Sequence, residues 1–189
     1  MIEVPIARSD IHVHLSEQHR IVLFGHNAPL TVWRRLTIPG QFASHQTVRV
    51  VGPAGSIDNV VVVGPERNKT QVEISITDGL KLGITPPLRR SGELEGTPGC
   101  RLEGPAGAIN LGEGVMASRR HIHMHSDDAR RWRLRDGQTV KVRIPGPRGL
   151  TFDQVELKVG ENQALEMHVD FDEGHAAGIE DFQIVEMIP

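Results

Sequence analysis

The chain has 189 residues, 38% hydrophobic and 24% charged, with a net charge of −3 and a pI near 6.4. That length allows one domain or two small ones with a real core, and the slight acidity with few aromatics and no Tyr argues against a nucleic-acid binder. Lone Cys100 excludes an intrachain disulfide, and no apolar run of 18 residues exists, so a non-membrane protein of a reducing compartment is expected.

In chain order, the start MIEVPIARSD lacks the apolar core of a secretory signal, which predicts a cytoplasmic location. Strands are predicted over 46–52, 59–64, 70–76, 137–144, 152–159 and 163–171, where Val and Ile recur and often alternate with polar residues. GPAGSIDN (52–59) and PGPRGLTF (145–152) read as hairpin turns. Helices are few: TDGLKLGI (77–84), and a segment from Ser126 through Trp132, with early acids and Gly137 as its end. Short strands with regular turns predict a mainly β fold of barrels or sandwiches.

The chain also repeats itself. His12-Val-His14 has a counterpart in His121-Ile-His123, and QTVRV at 46 recurs as QTVKV at 138. TQVEISITDGLKLGI aligns with LEMHVDFDEGHAAGI, pairing Gly79 with Gly174, Gly83 with Gly178 and Glu73 with His168. This predicts a duplicated β unit.

His-x-His on a strand places both imidazoles on one face, with Cα atoms about 6–7 Å apart, so both can reach one ion. A lone strand histidine is more commonly an ordinary core or surface residue. Two such pairs at matching places in a repeat, each with an aligned third donor, are a stronger signal. Two metal sites are therefore predicted, one from His12, His14 and Glu73 and one from His121, His123 and His168. Three protein ligands with an open position is the catalytic zinc pattern, though cobalt or another divalent ion suits these donors too. His175, in DEGHAAG, is expected beside the second site rather than in it, and His19, His26, His45 and His125 are read as surface residues.

Arg67 lies on the turn leading to Glu73. A guanidinium beside a divalent cation needs an anion between them, and phosphate fits its planar fork. On spacing alone, an ordinary exposed turn arginine is the simpler reading. Arg119, Arg120, Arg130, Arg131, Arg133 and Arg135 against Asp127 and Asp128 give a local charge of +4, suited equally to a polyanionic small molecule or to a solvated helix face. Cys100 has no nearby base that would mark a nucleophile, and no Walker loop, dinucleotide fingerprint or nucleophile elbow is present.

Taken together, HVHLS, PGQFASHQTVRVVGPAG, GPERNKTQVE, PPLRRSGELEGTPG, GVMASRRHIHMHSDDA and ALEMHVDFDEGHAAG resemble the PduL-type phosphotransacylases, or phosphate propanoyltransferases, over essentially the whole chain. The resemblance implies acyl transfer between coenzyme A and inorganic phosphate, a role in propanediol degradation, and two Zn2+ ions between two β-barrels. It puts the metal ligands on His12, His14, Glu73, His121, His123 and His168, the phosphate contact on Arg67, and a coenzyme A contact near Ser9. It also implies a swapped architecture, with residues 1–10 and 119–189 forming one barrel and 11–118 the other, and the active site in the cleft between them. Ile11 stands where the family usually has Arg, and with His12 so near the first residue the N-terminal extension of members housed in a bacterial microcompartment is not expected, which implies a cytosolic enzyme or one packaged by other means. Exposed strand edges suit a homodimer. Two other readings remain open: a dizinc hydrolase of a thioester or phosphorylated small molecule, and a non-catalytic module stabilised by zinc.

Overall fold

The computed structural model of the chain describes residues 1–180 and 182–189. The strands in the first part of the chain are β1 (Ile2–Ser9), β2 (His12–His14), β3 (Val32–Arg35), β4 (Phe42–Val51), β5 (Ser56–Gly64), β6 (Gln71–Glu73), β7 (Leu88–Arg89), β8 (Arg101–Glu103), β9 (Ala108–Asn110) and β10 (Val115–Ser118). Then come β11 (His121–His125), β12 (Thr139–Ile144), β13 (Leu150–Gly160), β14 (Glu166–Asp170) and β15 (Ile184–Ile188). The helices are α1 (Glu17–Phe24), α2 (Ile76–Leu82), α3 (Ser126–Trp132) and α4 (Phe171–Ala177).

The chain divides into two compact units. One comprises Met1–Ser9, Thr37–Pro39 and Arg119–Pro189, the other Asp10–Leu36 and Gly40–Ser118. The first is a closed six-stranded barrel, ordered β1-β14-β11-β13-β12-β15. Its wall follows period-two patterning: Val140, Val142 and Ile144 of β12 are buried and the residues between them exposed. Val4, Ile6, Ile122, Leu157, Met167 and Met187 fill the interior with no solvent exposure. The second unit is a sheet of nine strands, ordered β7-β10-β6-β2-β5-β4-β8-β9 with β3 paired to β4. It closes over its own core of Val13, Leu15, Val50, Val62, Val72 and Leu102. Ile11 packs against that core, which an arginine there would have to leave.

The duplication is visible in the strand pairing. In the second unit β2 lies between β5, parallel, and β6, antiparallel. In the first, β11 lies between β13, parallel, and β14, antiparallel. The strand leading into each pair is exchanged: β1, just before β2, pairs with β14, and β10, just before β11, pairs with β6.

Local signals explain where the sequence expectations shift. The strand predicted over 70–76 stops at Glu73, because Ser75 caps α2 with a reciprocal Ser75–Asp78 capping box. Gly83 and Gly178, aligned in the repeat, end α2 and α4 in the left-handed region at φ 72° and 63°. The helix begun at Ser126 is capped by His125 and ends at Arg133, while Gly137 serves a later turn. Among the described residues, no helix is long and apolar enough to cross a membrane.

Candidate metal centres and the adjoining arginine

The first predicted group is assembled on β2 and β6. Val13 and Val72 face the core, so His12, His14 and Glu73 share the opposite face. Antiparallel register sets His12 opposite Glu73, and the ligand atoms of all three lie within 4.8 Å of one another. His12 Nε2 is 3.8 Å and His14 Nε2 3.7 Å from the Glu73 carboxylate. A tetrahedral zinc with bonds of about 2.0–2.1 Å separates its ligand atoms by roughly 3.3 Å, so only small closure is needed. Each ring is oriented from behind: His12 Nδ1 donates to the Asp10 carbonyl at 2.8 Å and His14 Nδ1 to the Val63 carbonyl at 3.1 Å. Those bonds leave Nε2 of each ring unprotonated toward the site. Burial, then His12 and Arg67, holds the basicity of His14 well below that of an ordinary histidine, with Glu73 opposing.

The second group repeats this on β11 and β14. Ile122, Met124, Met167 and Val169 point into the barrel, placing His121, His123 and His168 on its outer wall. Their ligand atoms also lie within 4.8 Å of one another, and His121 stands opposite His168. His121 Nδ1 donates to the Arg119 carbonyl at 2.7 Å and His123 Nδ1 to Gln163 Oε1 at 2.6 Å. Both Nε2 atoms are thereby lone-pair donors, yet they stand 3.0 Å apart. Such lone pairs repel unless a cation lies against both, so the donor set fits a metal ion. His123 is pushed down to about 2 by burial first, then by His121, His168 and Lys158. It stays neutral, the form that binds metal.

Arg67 is half-buried beside the first group, and its backbone N–H donates to the Leu15 carbonyl just past β2. Its Nη1 donates to Ser91 Oγ at 2.9 Å. Ser91 Oγ also receives the Gln71 amide at 3.0 Å and donates toward Glu73 Oε1 at 3.4 Å. Gln71 is nearly fully buried, its amide nitrogen on Glu73 and its Oε1 on the Gly92 N–H at 2.7 Å. Arg67 and Glu73 are thus joined through one hydroxyl.

The other predicted residues have the following surroundings. Ser9 ends β1, in register with Asp170. His175 is exposed on α4, edge-on to Phe171. The basic cluster is divided among ion pairs, Arg119 with Glu156, Arg120 with Glu173 and Arg130 with Asp127. His19 is not a plain surface residue: it is half-buried, with Nδ1 2.7 Å from Thr70 Oγ1, and His125 caps α3. Gln71 and Glu166 escaped sequence reading, although each stands two residues before a predicted ligand and so shares its face. Ser91 and Thr37 lie outside the strands and give no periodic signal, and Gln163 opens the strand predicted over 163–171, which in the fold begins only at Glu166.

Cys100 is buried in the core of the second unit, and burial pushes its thiol up to about 12. Alkylation by iodoacetamide at pH 7.5 is expected to be negligible in the native protein and complete after denaturation, as read by mass spectrometry. Rapid native labelling would show an accessible thiolate.

Comparison with known proteins settles the family. The phosphate propanoyltransferase family matches residues 5–180. The chain belongs to the phosphate propanoyltransferase family. It is 50% identical over 170 residues to the phosphate propanoyltransferase of Thermotoga maritima, covering 89% of this chain and 81% of that one. It is 47% identical over 176 residues to the one from Alkaliphilus metalliredigens, covering 93% and 83%. With the one from Shewanella putrefaciens it shares 48% over 183 residues, covering 96% and 86%. The chain is a phosphate acyltransferase.

Proposed function

We propose that this phosphate acyltransferase interconverts a short-chain acyl-CoA plus inorganic phosphate with acyl phosphate plus CoA, using two divalent ions, zinc by donor chemistry. The observation that carries this reading is the pair of three-donor groups, one joined to a half-buried arginine. The relatives' name supplies phosphate and a propanoyl group as the substrates for which the site is read. His12, His14 and Glu73 would hold one ion, and His121, His123 and His168 the other. Ions so held supply Lewis acidity and stabilise negative charge on a leaving thiolate or a bound phosphate.

The chain's own contribution is positioning. Arg67 offers its planar fork to two phosphate oxygens, with Ser91 restraining the guanidinium. A third phosphate oxygen attacks the thioester carbonyl, the C–S bond breaks, and the thiolate leaves as CoA. Holding the two reactants together can be worth on the order of 7–11 kcal/mol in well-oriented cases. No acyl-enzyme is needed, in keeping with a buried, weakly acidic Cys100.

The test is thiol release from propanoyl-CoA by the zinc-loaded protein, with and without phosphate. Release that requires phosphate and yields acyl phosphate is expected. Equal release without phosphate would make the protein a thioester hydrolase, and none under either condition would leave the zinc groups structural.

A further inference from the structure

The two halves solve one problem with opposite chemistry. Gln71 stands opposite His14 and Glu166 opposite His123, so the two occupy the same register position in the repeat. Each lies two residues before the third donor of its group, Glu73 or His168, and contacts it along the strand face. In the first half the Gln71 amide donates to the Glu73 carboxylate. In the second, Glu166 Oε2 lies 2.6 Å from His168 Nε2. A carboxylate donor to a metal has a second oxygen that needs a hydrogen-bond donor. An imidazole has a second nitrogen whose N–H needs an acceptor. Where the third donor changes from Glu to His, its neighbour changes from Gln to Glu, so each pair again matches a donor with an acceptor and holds one carboxylate.

From this we infer that Glu166 is a positioning residue for the second metal centre: it accepts the hydrogen bond of the His168 Nε2–H, so that His168 presents Nδ1 to the ion, whereas His121 and His123 present Nε2. The inference rests on the metal-dependent reading above. Glu166 is built for the task. It is 4% exposed, and its other oxygen, Oε1, accepts the Thr37 hydroxyl at 2.8 Å. A buried carboxylate held from both sides cannot swing away, and this fixes both ring angle and tautomer. The Thr37–Pro39 segment, remote in sequence, belongs to the same compact unit as the barrel and supplies that outer restraint.

The experiment is zinc titration of the full chain against a competing chelator, with elemental analysis of the loaded protein. Wild type is expected to hold two ions. Glu166→Ala is expected to keep one unchanged and weaken the other by about 10–100-fold. Glu166→Gln, whose amide oxygen still accepts from Nε2, should recover most of that loss; far-UV circular dichroism checks the fold of both. In the zinc-loaded wild type, 15N spectra of the histidine rings should show His168 ligated through Nδ1 and protonated at Nε2, a readout that requires no variant to fold. Ligation through Nε2, or undiminished affinity in Glu166→Ala, would overturn the inference while leaving the proposed function standing. A wild type that binds no zinc would overturn both.

Discussion

Replacing Arg67 by alanine is expected to lower phosphate-dependent turnover, read as kcat/KM for phosphate, by roughly 10²–10⁴-fold while both metal equivalents stay bound. The magnitude follows from two charge-assisted hydrogen bonds, each worth about 1.5–3 kcal/mol, against about 1.4 kcal/mol per tenfold. Metal content should hold because the three donors of the first group do not depend on the guanidinium for orientation. His12 and His14 are held by backbone carbonyls, and Glu73 by the Gln71 amide. Ser91 loses one partner and keeps its Gln71 contact. Arg67→Lys preserves the charge without the fork and should fall between wild type and alanine. Elemental analysis beside saturation curves in phosphate separates the outcomes. An unchanged phosphate dependence would remove Arg67 from the phosphate site, and loss of metal would make it a support for the first group instead.

The two clusters of candidate donors are legible in the amino-acid sequence because two periodicities carry them. Period two puts His12 with His14 and His121 with His123 on one strand face, and the offset of the repeat picks Glu73 and His168, which the fold sets directly across from His12 and His121. The same repeat holds more than the strand signals use. It aligns Ser75 with Asp170, the caps of α2 and α4, and Ser16 with His125, the caps of α1 and α3. Length does not separate the helices that the sequence predicts from those that it does not, since all four span seven or eight residues; α1 and α4 escape although Ser16 and Asp170 cap them as Ser75 caps α2. Ser91 and Thr37 have no period to reveal them, and Gln163 stands in the predicted strand but off the face of His168. Their places are set by how loops return to the sheets, which is a matter of tertiary packing rather than local pattern. The shared register of Gln71 and Glu166 lies between these extremes: readable in principle, but meaningful only once the donor–acceptor match with the neighbouring residue is seen.

His123→Ala is expected to lose one of the two metal equivalents and at least about 10³-fold in turnover, since metal-ion stabilisation of developing charge is worth several kcal/mol. His123 is the most enclosed donor of its group, 4% exposed, and its ring is locked by Gln163. Removing it leaves His121 and His168, whose ring centroids are 5.4 Å apart, as the two remaining donors. The first group lies in the other compact unit and should keep its ion, so the metal count should fall to one rather than zero. Thermal unfolding gives an independent reading. An ion at 100 times its dissociation constant stabilises the folded chain by about 2.7 kcal/mol. The rise in Tm on adding zinc should therefore shrink in the variant, because one of the two sites no longer contributes. His123→Asn, which leaves less of a void, serves where the alanine variant is too unstable to titrate. Two full equivalents in either variant would strike His123 from the donor set, and with it the assignment of a complete metal centre to the barrel wall.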